Sequence, residues 1–250
     1  MTLSGIVITF NEEKKIARCL DSMSGLVDEI VVVDSFSTDL TEHICRERKV
    51  RFFQRKFTNH IDQKNFAIGL ATADYVLYLD ADEYLSSDLR SSIGNIKEIG
   101  LKDAYSMDRI SSYGGEWIRH GSWFPDTKIR IWNKRSGSFG GYNPHDHVLL
   151  KKDVQVKKLK GLLMHESYAN SLEGLKKIVS YSEIYSDEQV FKRSISRFGI
   201  FTHSVFAFFK SYILKLGILD GFNGWVVAIF CFNHTFFKYA RLHEKNRNRK

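Results

Sequence analysis

With 250 residues and a 43% hydrophobic share, the chain is long and apolar enough to bury a sizeable core as one large domain or one domain with an appendage, which excludes a disordered segment. Cys19, Cys45 and Cys231 are scattered without metal or disulfide spacing, fitting a reduced, cytoplasmic setting; no signal peptide is read before the first apolar run, and no apolar stretch of roughly eighteen residues spans a bilayer. The net charge of +8 is unevenly placed: residues 189–250 carry eleven Lys or Arg against Asp220 and Glu244, and are rich in Phe, a combination suited to an anionic surface, either membrane or nucleic acid.

The run Gly5-Ile6-Val7-Ile8-Thr9-Phe10 predicts a buried strand ending at Asn11-Glu12-Glu13, with Asn11 expected to cap a helix whose apolar positions are Ile16, Cys19, Leu20 and Met23. A second strand, Glu29-Ile30-Val31-Val32-Val33-Asp34, again ends in an acid and leads into the polar turn of Ser35, Ser37, Thr38 and Asp39. Arg51-Phe52-Phe53-Gln54 reads as a third strand and residues 61–70 as a helix. Then Tyr75-Val76-Leu77-Tyr78-Leu79 stops at Asp80-Ala81-Asp82-Glu83. Charges cannot lie unpaired within such a run, so the acids emerge at its carboxyl end, where open α/β sheets bind ligands. Asp80 and Asp82, acceptor-only when ionised, are suited to a hard divalent cation that also holds phosphate oxygens. The alternation of strands and helices predicts a mostly parallel sheet with right-handed crossovers. A dinucleotide-binding fold is excluded, because the turn after the first strand has no glycine and two acids where a pyrophosphate would lie.

From Ala104 the pattern changes to short β-like runs, such as Lys128-Ile129-Arg130-Ile131-Trp132 and His147-Val148-Leu149-Leu150, around a long aromatic loop over residues 113–126. Alternation within a strand sets His145 and His147 on one face and Asp146 on the other. Beyond Ser171 a helix is expected with Leu172, Leu175, Ile178, Val179, Ser182 and Ile184 on its apolar face. Phe198, Phe201, Val205, Phe208, Phe209, Tyr212, Ile213 and Leu216 then form a broad stripe, suited either to core packing or to a helix lying in a headgroup region.

Taken together, Thr9-Phe10-Asn11-Glu12, Val33-Asp34-Ser35-Phe36-Ser37-Thr38-Asp39, Gln63-Lys64-Asn65 and Asp80-Ala81-Asp82 resemble glycosyltransferase family 2, inverting enzymes with a GT-A fold. The segments Gly114-Gly115-Glu116-Trp117-Ile118-Arg119-His120-Gly121, Trp123-Phe124-Pro125-Asp126, Pro144-His145-Asp146 and Leu216-Gly217-Ile218-Leu219-Asp220-Gly221 are similar to its bacterial lipopolysaccharide-core β-1,4-glucosyltransferase branch. The resemblance implies an α/β catalytic domain over 1–170 (nucleotide-sugar half 1–103, acceptor half 104–170) and a basic helical extension over 171–250. It further implies donor contacts from Thr9, Asn11, Glu12, Asp34, Lys64 and Asp80, with Lys64 on the diphosphate. Mg or Mn would sit on Asp82, with Asp80 and His165 as further candidates. Asp146 would be the general base, with Asp126 as the alternative, and Trp117, Arg119, His120, Trp123 and His145 would meet the acceptor.

The implied reaction moves a hexose, glucose from UDP-glucose, onto a hydroxyl of a lipid-linked glycan such as the lipopolysaccharide inner core. The implied place is the cytoplasmic face of the bacterial inner membrane, held peripherally by the C-terminal region, with no nucleic acid as partner. Two rivals stand beside it: a transferase loading sugar onto a polyprenyl phosphate, and a non-catalytic membrane- or nucleic-acid-binding module on the same scaffold.

Overall fold

The computed structural model describes residues 1–142 and 145–248, with His145 described by its backbone alone. The chain forms two compact units, Met1–Arg109 with Thr127–His165, and Ile110–Asp126 with Glu166–Lys250.

In the first unit, β1 (Leu3–Thr9), β2 (Glu29–Asp34), β3 (Arg51–Gln54) and β4 (Tyr75–Asp80) pair in parallel in the order β3-β2-β1-β4, with α1 (Ile16–Met23), α2 (Thr41–Glu47) and α3 (His60–Gly69) as crossovers. Alternate residues of each strand supply opposite cores. Leu3, Val7, Val32, Leu77 and Leu79 pack with Ile16, Leu20 and Met23 of α1 and with Leu89 and Ile93 of α4 (Ser87–Ile99). Ile6, Val31, Val33, Val76 and Tyr78 pack on the other side with Ala67 and Ile68 of α3. That parity matters at the end of β4: Asp80 has the parity of Val76 and Tyr78, so its side chain leaves the sheet on the α3 side.

The sheet continues past β4 through β8 (Asp126–Asn133), β6 (Ala104–Tyr113) and β11 (Val156–Tyr168) to the short β5 (Glu83–Leu85), and β7 (Glu116–Trp117) pairs with β6. β8 runs antiparallel to β4 with Leu77 opposite Ile131, and β11 antiparallel to β5 with His165 opposite Glu83. Gly161 of β11 has φ +96°, and a Cβ there would lie 2.3 Å from the Leu89 backbone nitrogen, so only glycine lets this strand pass the start of α4. β9 (Gly137–Tyr142) and β10 (His145–Leu150) form a separate antiparallel hairpin with Asp146 opposite Gly141.

In the second unit, α5 (Ser171–Gln189), α6 (Arg197–Phe209) and α7 (Gly221–Asn248) pack together, with a π-helical turn at Lys210–Leu214 and a 3₁₀ turn at Gly217–Asp220 between the last two. A Cβ on Gly224 would fall 1.7 Å from the Gly217 carbonyl oxygen, so this close approach of backbones also requires glycine. No described helix alone is long and apolar enough to cross a membrane; the α6 and α7 stretches together have the length and composition but are bent by 73°.

Three expectations change. Residues 110–126 cluster with the C-terminal helices, so the division does not fall at 170. Asn11 does not cap α1: it has φ 53°, its N–H donates to Ser37 Oγ (2.8 Å), its Oδ1 accepts from Thr38 N (2.8 Å), and the helix begins only at Ile16. On α5 the buried positions are Gly174, Ile178, Ser182, Tyr185 and Ser186, whereas Leu172, Leu175 and Val179 are exposed.

Candidate active site

The first unit gathers ionisable groups at the carboxyl ends of β1, β2 and β4. Asp34, at the end of β2, is fully buried and accepts from Ser37 N (2.8 Å) and Ser37 Oγ, so the turn after the strand folds back onto the acid that precedes it. Thr9, at the end of β1, is 5% exposed, and its Oγ1 has no hydrogen-bond partner among the described residues; Gln63 Oε1 on α3 is likewise buried without one among them. Buried polar atoms without partners are rare in folded proteins, and each calls for an explanation such as a water, an ion or a catalytic role. Asn11 and Glu12 also tie the β1 loop to the β2 loop, with Glu12 N donating to Thr41 Oγ1 (2.9 Å).

At the end of β4, Asp80 Oδ1 accepts from the Tyr78 hydroxyl (2.6 Å) and lies 3.8 Å from Lys64 Nζ, while Oδ2 accepts from Arg130 Nη2 (3.1 Å). Burial would push the Asp80 carboxyl up, but Lys64, Arg130 and the Tyr78 hydroxyl outweigh it and hold the group well below the usual carboxylate range. Glu83 is wholly buried and forms the centre of a second network, accepting two bonds from Arg130 Nη2 (2.6 and 2.7 Å) and one from Arg109 (2.9 Å). Its Oε2 also accepts from Asp80 N (3.1 Å), which fixes the strand end bearing the aspartates. Sequence reasoning assigned Glu83, Arg130 and Arg109 no role; the available signal was an arginine between Ile129 and Ile131 in a buried strand, which demands a buried acid.

The pairing of β11 with β5 brings His165 to Asp82, Nε2 to Oδ2 3.3 Å, with the side chains 12% and 13% exposed. Among the described residues, no group of three or more His, Cys, Asp or Glu is placed to hold a metal ion. Asp82 and His165 are therefore a two-donor set, and Asp80 is already engaged by Lys64, Arg130 and Tyr78. The Asp82 carboxylate suits a hard divalent cation that would take its remaining ligands from phosphate oxygens and water, and the His165 imidazole is the nitrogen donor beside it.

Lys64 is 7% exposed on α3, its ammonium 2.6 Å from Asp146 Oδ2 and above the rings of Phe139 (4.8 Å) and Tyr78 (5.1 Å). Asp146 thus turns inward on β10 while His147 is exposed, as the alternation requires. The side chain of His145 lies outside the described residues. His60 nearby has its imidazole pushed down by burial and by the Lys64 charge.

The remaining predicted residues lie in the second unit. Asp220 accepts from Arg119 N (2.9 Å) and His120 N (2.8 Å), and its other oxygen meets His120 Nδ1 (2.8 Å). Gly121 N and Ser122 N bond to Lys215 O (2.8 Å) and Ser211 Oγ (3.1 Å). Trp123 stacks on Phe230 with centroids 6.0 Å apart, and Trp117 is half-buried in β7. Two motifs a hundred residues apart are therefore one structure, with Asp220 fixing the loop that carries Arg119, His120 and Trp123. Asp126 is the half-buried first residue of β8 and belongs to this second unit.

Comparison with known proteins bears on the family of the chain. The family described as Glycosyl transferase family 2 matches residues 4–155. A Rickettsia typhi protein described as an uncharacterized glycosyltransferase is 31% identical over 98% of this chain and 89% of its own length. The lipopolysaccharide core biosynthesis glycosyltransferase LpsC of Rhizobium meliloti is 24% identical over 98% of this chain and 93% of its own. Among solved structures, S. aureus TarS 1–349 in complex with UDP-GlcNAc superposes with a TM-score of 0.50 at 14% identity, covering 100% of this chain and 93% of that one, a likeness of fold. The parallel β3-β2-β1-β4 sheet, the acids at its strand ends and these matches identify the chain as a member of glycosyltransferase family 2, enzymes of GT-A fold that transfer a sugar from a nucleotide sugar.

Proposed function

We propose that the enzyme moves glucose from UDP-glucose, with inversion, onto a hydroxyl of a lipid-linked glycan such as the lipopolysaccharide inner core. The observation carrying this reading is the assembly within one unit of Asp34, Lys64, Asp80, the Asp82–His165 pair and Asp146. Asp34, with Thr9 Oγ1 beside the same strand ends, accepts from the uracil or ribose. Asn11 and Glu12 shape the loop at that place. Asp80, fixed by Arg130 and Tyr78, receives a ribose hydroxyl, and Lys64 meets the diphosphate. Asp82 and His165 hold Mg or Mn, which when bound offsets the charge of the departing diphosphate.

Asp146 takes the acceptor's hydroxyl proton, the acceptor oxygen bonds to the anomeric carbon from the face opposite the leaving group, and the broken C–O bond leaves its electron pair on UDP. Asp126 is the alternative base. Trp117, Arg119, His120, Trp123 and His145 meet the acceptor. The name of LpsC and the fixed aromatic loop at Asp220 favour a glycan hydroxyl. A polyprenyl phosphate acceptor needs no base, so an unimpaired Asp146→Asn variant would favour that rival.

We also propose peripheral attachment to the cytoplasmic face of the inner membrane. In support, the break between α6 and α7 exposes Leu214 (68%), Leu219 (63%) and Phe222 (73%) beside Lys210 and Lys215. The test of the donor reading is calorimetry with UDP-glucose and other nucleotide sugars, with and without Mn. Binding that requires Mn and is lost in Asp82→Ala, while the far-ultraviolet spectrum stays native, is expected; full binding by that variant in excess chelator overturns the metal assignment.

A further inference from the structure

The backbone N–H groups of residues 119–122 are all bonded to the segment 211–220 of the same unit. Those of Arg119 and His120 donate to one oxygen of Asp220 (2.9 and 2.8 Å), that of Gly121 to Lys215 O (2.8 Å) and that of Ser122 to Ser211 Oγ (3.1 Å). The receiving segment is itself irregular, with a π-helical turn at Lys210–Leu214 and Leu216 at φ 57°, features that concentrate at functional sites. These bonds hold the loop without help from the His120 ring. The ring has a separate arrangement: Nδ1 meets the other Asp220 oxygen at 2.8 Å, with the imidazole 36% and the carboxylate 10% exposed. Among the described residues His120 Nε2 has no partner. An ionised carboxylate can only accept, so the proton of a neutral His120 sits on Nδ1 and Nε2 keeps a bare lone pair.

We infer that Asp220 is a positioning residue that locks His120 in its Nδ1–H tautomer, so that Nε2 accepts a hydrogen bond from a hydroxyl of the acceptor glycan. The inference rests on the acceptor reading of this loop given above and adds the chemical class of the group it takes. A lone pair on a neutral ring is matched by an O–H donor, whereas a phosphate or carboxylate oxygen is acceptor-only and has no hydrogen to offer it. Loop, ring and proton are fixed before the acceptor arrives, which spares their ordering cost at the moment of binding.

Asp220→Asn separates this role from a purely structural one. Its amide oxygen can still accept from Arg119 N and His120 N, which keeps the loop, while its NH2 faces Nδ1 and donates to it, so the ring proton moves to Nε2. Transfer is measured with UDP-glucose, Mn and detergent-dispersed lipopolysaccharide inner core for the wild type, Asp220→Asn, His120→Ala and the double variant. Asp220→Asn is expected to raise the acceptor KM about tenfold and leave the donor KM unchanged, since the hydroxyl must turn its hydrogen away from the N–H it now meets. In the His120→Ala background the same change is expected to add nothing. An unchanged acceptor KM in Asp220→Asn, or an equal rise without the His120 ring, overturns the lock. Nitrogen NMR spectra at about pH 8.5, where histidine is ordinarily neutral, read the tautomer directly, the His120 signals being those missing from His120→Ala. A protonated Nδ1 and bare Nε2 are expected in the wild type and the reverse in Asp220→Asn; a wild-type proton on Nε2 overturns the inference. If Asp220→Asn does not fold, the wild-type spectrum decides alone. Failure of the wild type to transfer to this acceptor overturns the acceptor reading itself, and the tautomer is read independently of it.

Discussion

The two units treat charge and apolar surface in opposite ways. In the first, Asp34, Lys64, Glu83 and Arg130 are all at most 7% exposed, buried at strand ends in paired networks. In the second, large apolar side chains face outward, Phe198 at 77% and Phe222 at 73%, while Arg241 and Lys245 of α7 pair with Glu183 of α5 at 2.6 and 2.7 Å near the surface. Each arrangement works against stability: a buried ion costs several kcal/mol of desolvation, and an exposed Phe or Leu forgoes about 1.5–3 kcal/mol of burial. The proposed donor would cover the polar surface of the first unit, and the proposed membrane the apolar surface of the second.

The largest expected effect separates catalysis from scaffold in the first unit. Asp146→Asn should lower turnover by about two to four decades, the usual contribution of a general base, while UDP binding is retained. Steady-state kinetics with a lipid-linked acceptor measure it. Near-normal turnover moves the base to Asp126 or removes the need for one.

The next effect contrasts the two kinds of ion pair. Glu83→Gln leaves buried Arg130 and half-buried Arg109 short of their counter-charge, and breaking a pair of this kind costs about 3–5 kcal/mol. Glu183→Gln, at a pair whose side chains are both 45% exposed, should leave the denaturation midpoint where it was. Comparable losses from the two variants would show that the buried network has no special weight.

The first unit was also the more legible of the two in the sequence. The run from Tyr75 to Leu79 could only be a buried strand, and alternation then set Asp80 on the side of Tyr78, where Lys64 arrives from α3. His165 closes another apolar run, and antiparallel register carries it to Asp82. Arg130 and Glu83 escaped because each looked like an ordinary strand or turn charge until the other was placed beside it. In the second unit the link from His120 to Asp220 spans a hundred residues, beyond any local pattern. The face of α5 was misread for a different reason. Leu172, Leu175 and Val179 outline a stripe by hydrophobicity, but close packing selected the one with small residues, where a Cβ on Gly174 would come within 2.7 Å of the Phe230 ring.

The smallest effect tests what covers the exposed surface of the second unit. Counting charge along the sequence suggested that eleven basic residues would drive attachment to an anionic membrane. Two of the eleven, Arg241 and Lys245, are however committed to Glu183 and Asp187, while Lys210 and Lys215 fall in the turns that carry the exposed Leu214 and Leu219. Each lysine near an anionic leaflet contributes about 1 kcal/mol and is screened by salt, whereas apolar insertion is not. If apolar insertion at Leu214, Leu219 and Phe222 carries the proposed attachment, it should weaken only modestly between low and high salt. Phe222→Ser should weaken it about tenfold at either, the equivalent of one apolar side chain no longer buried. Floatation with vesicles of anionic or neutral lipid reads both effects. Complete release by salt would return the role to the basic tail, and indifference to anionic vesicles at low salt would rule out a membrane as the phase that covers this surface.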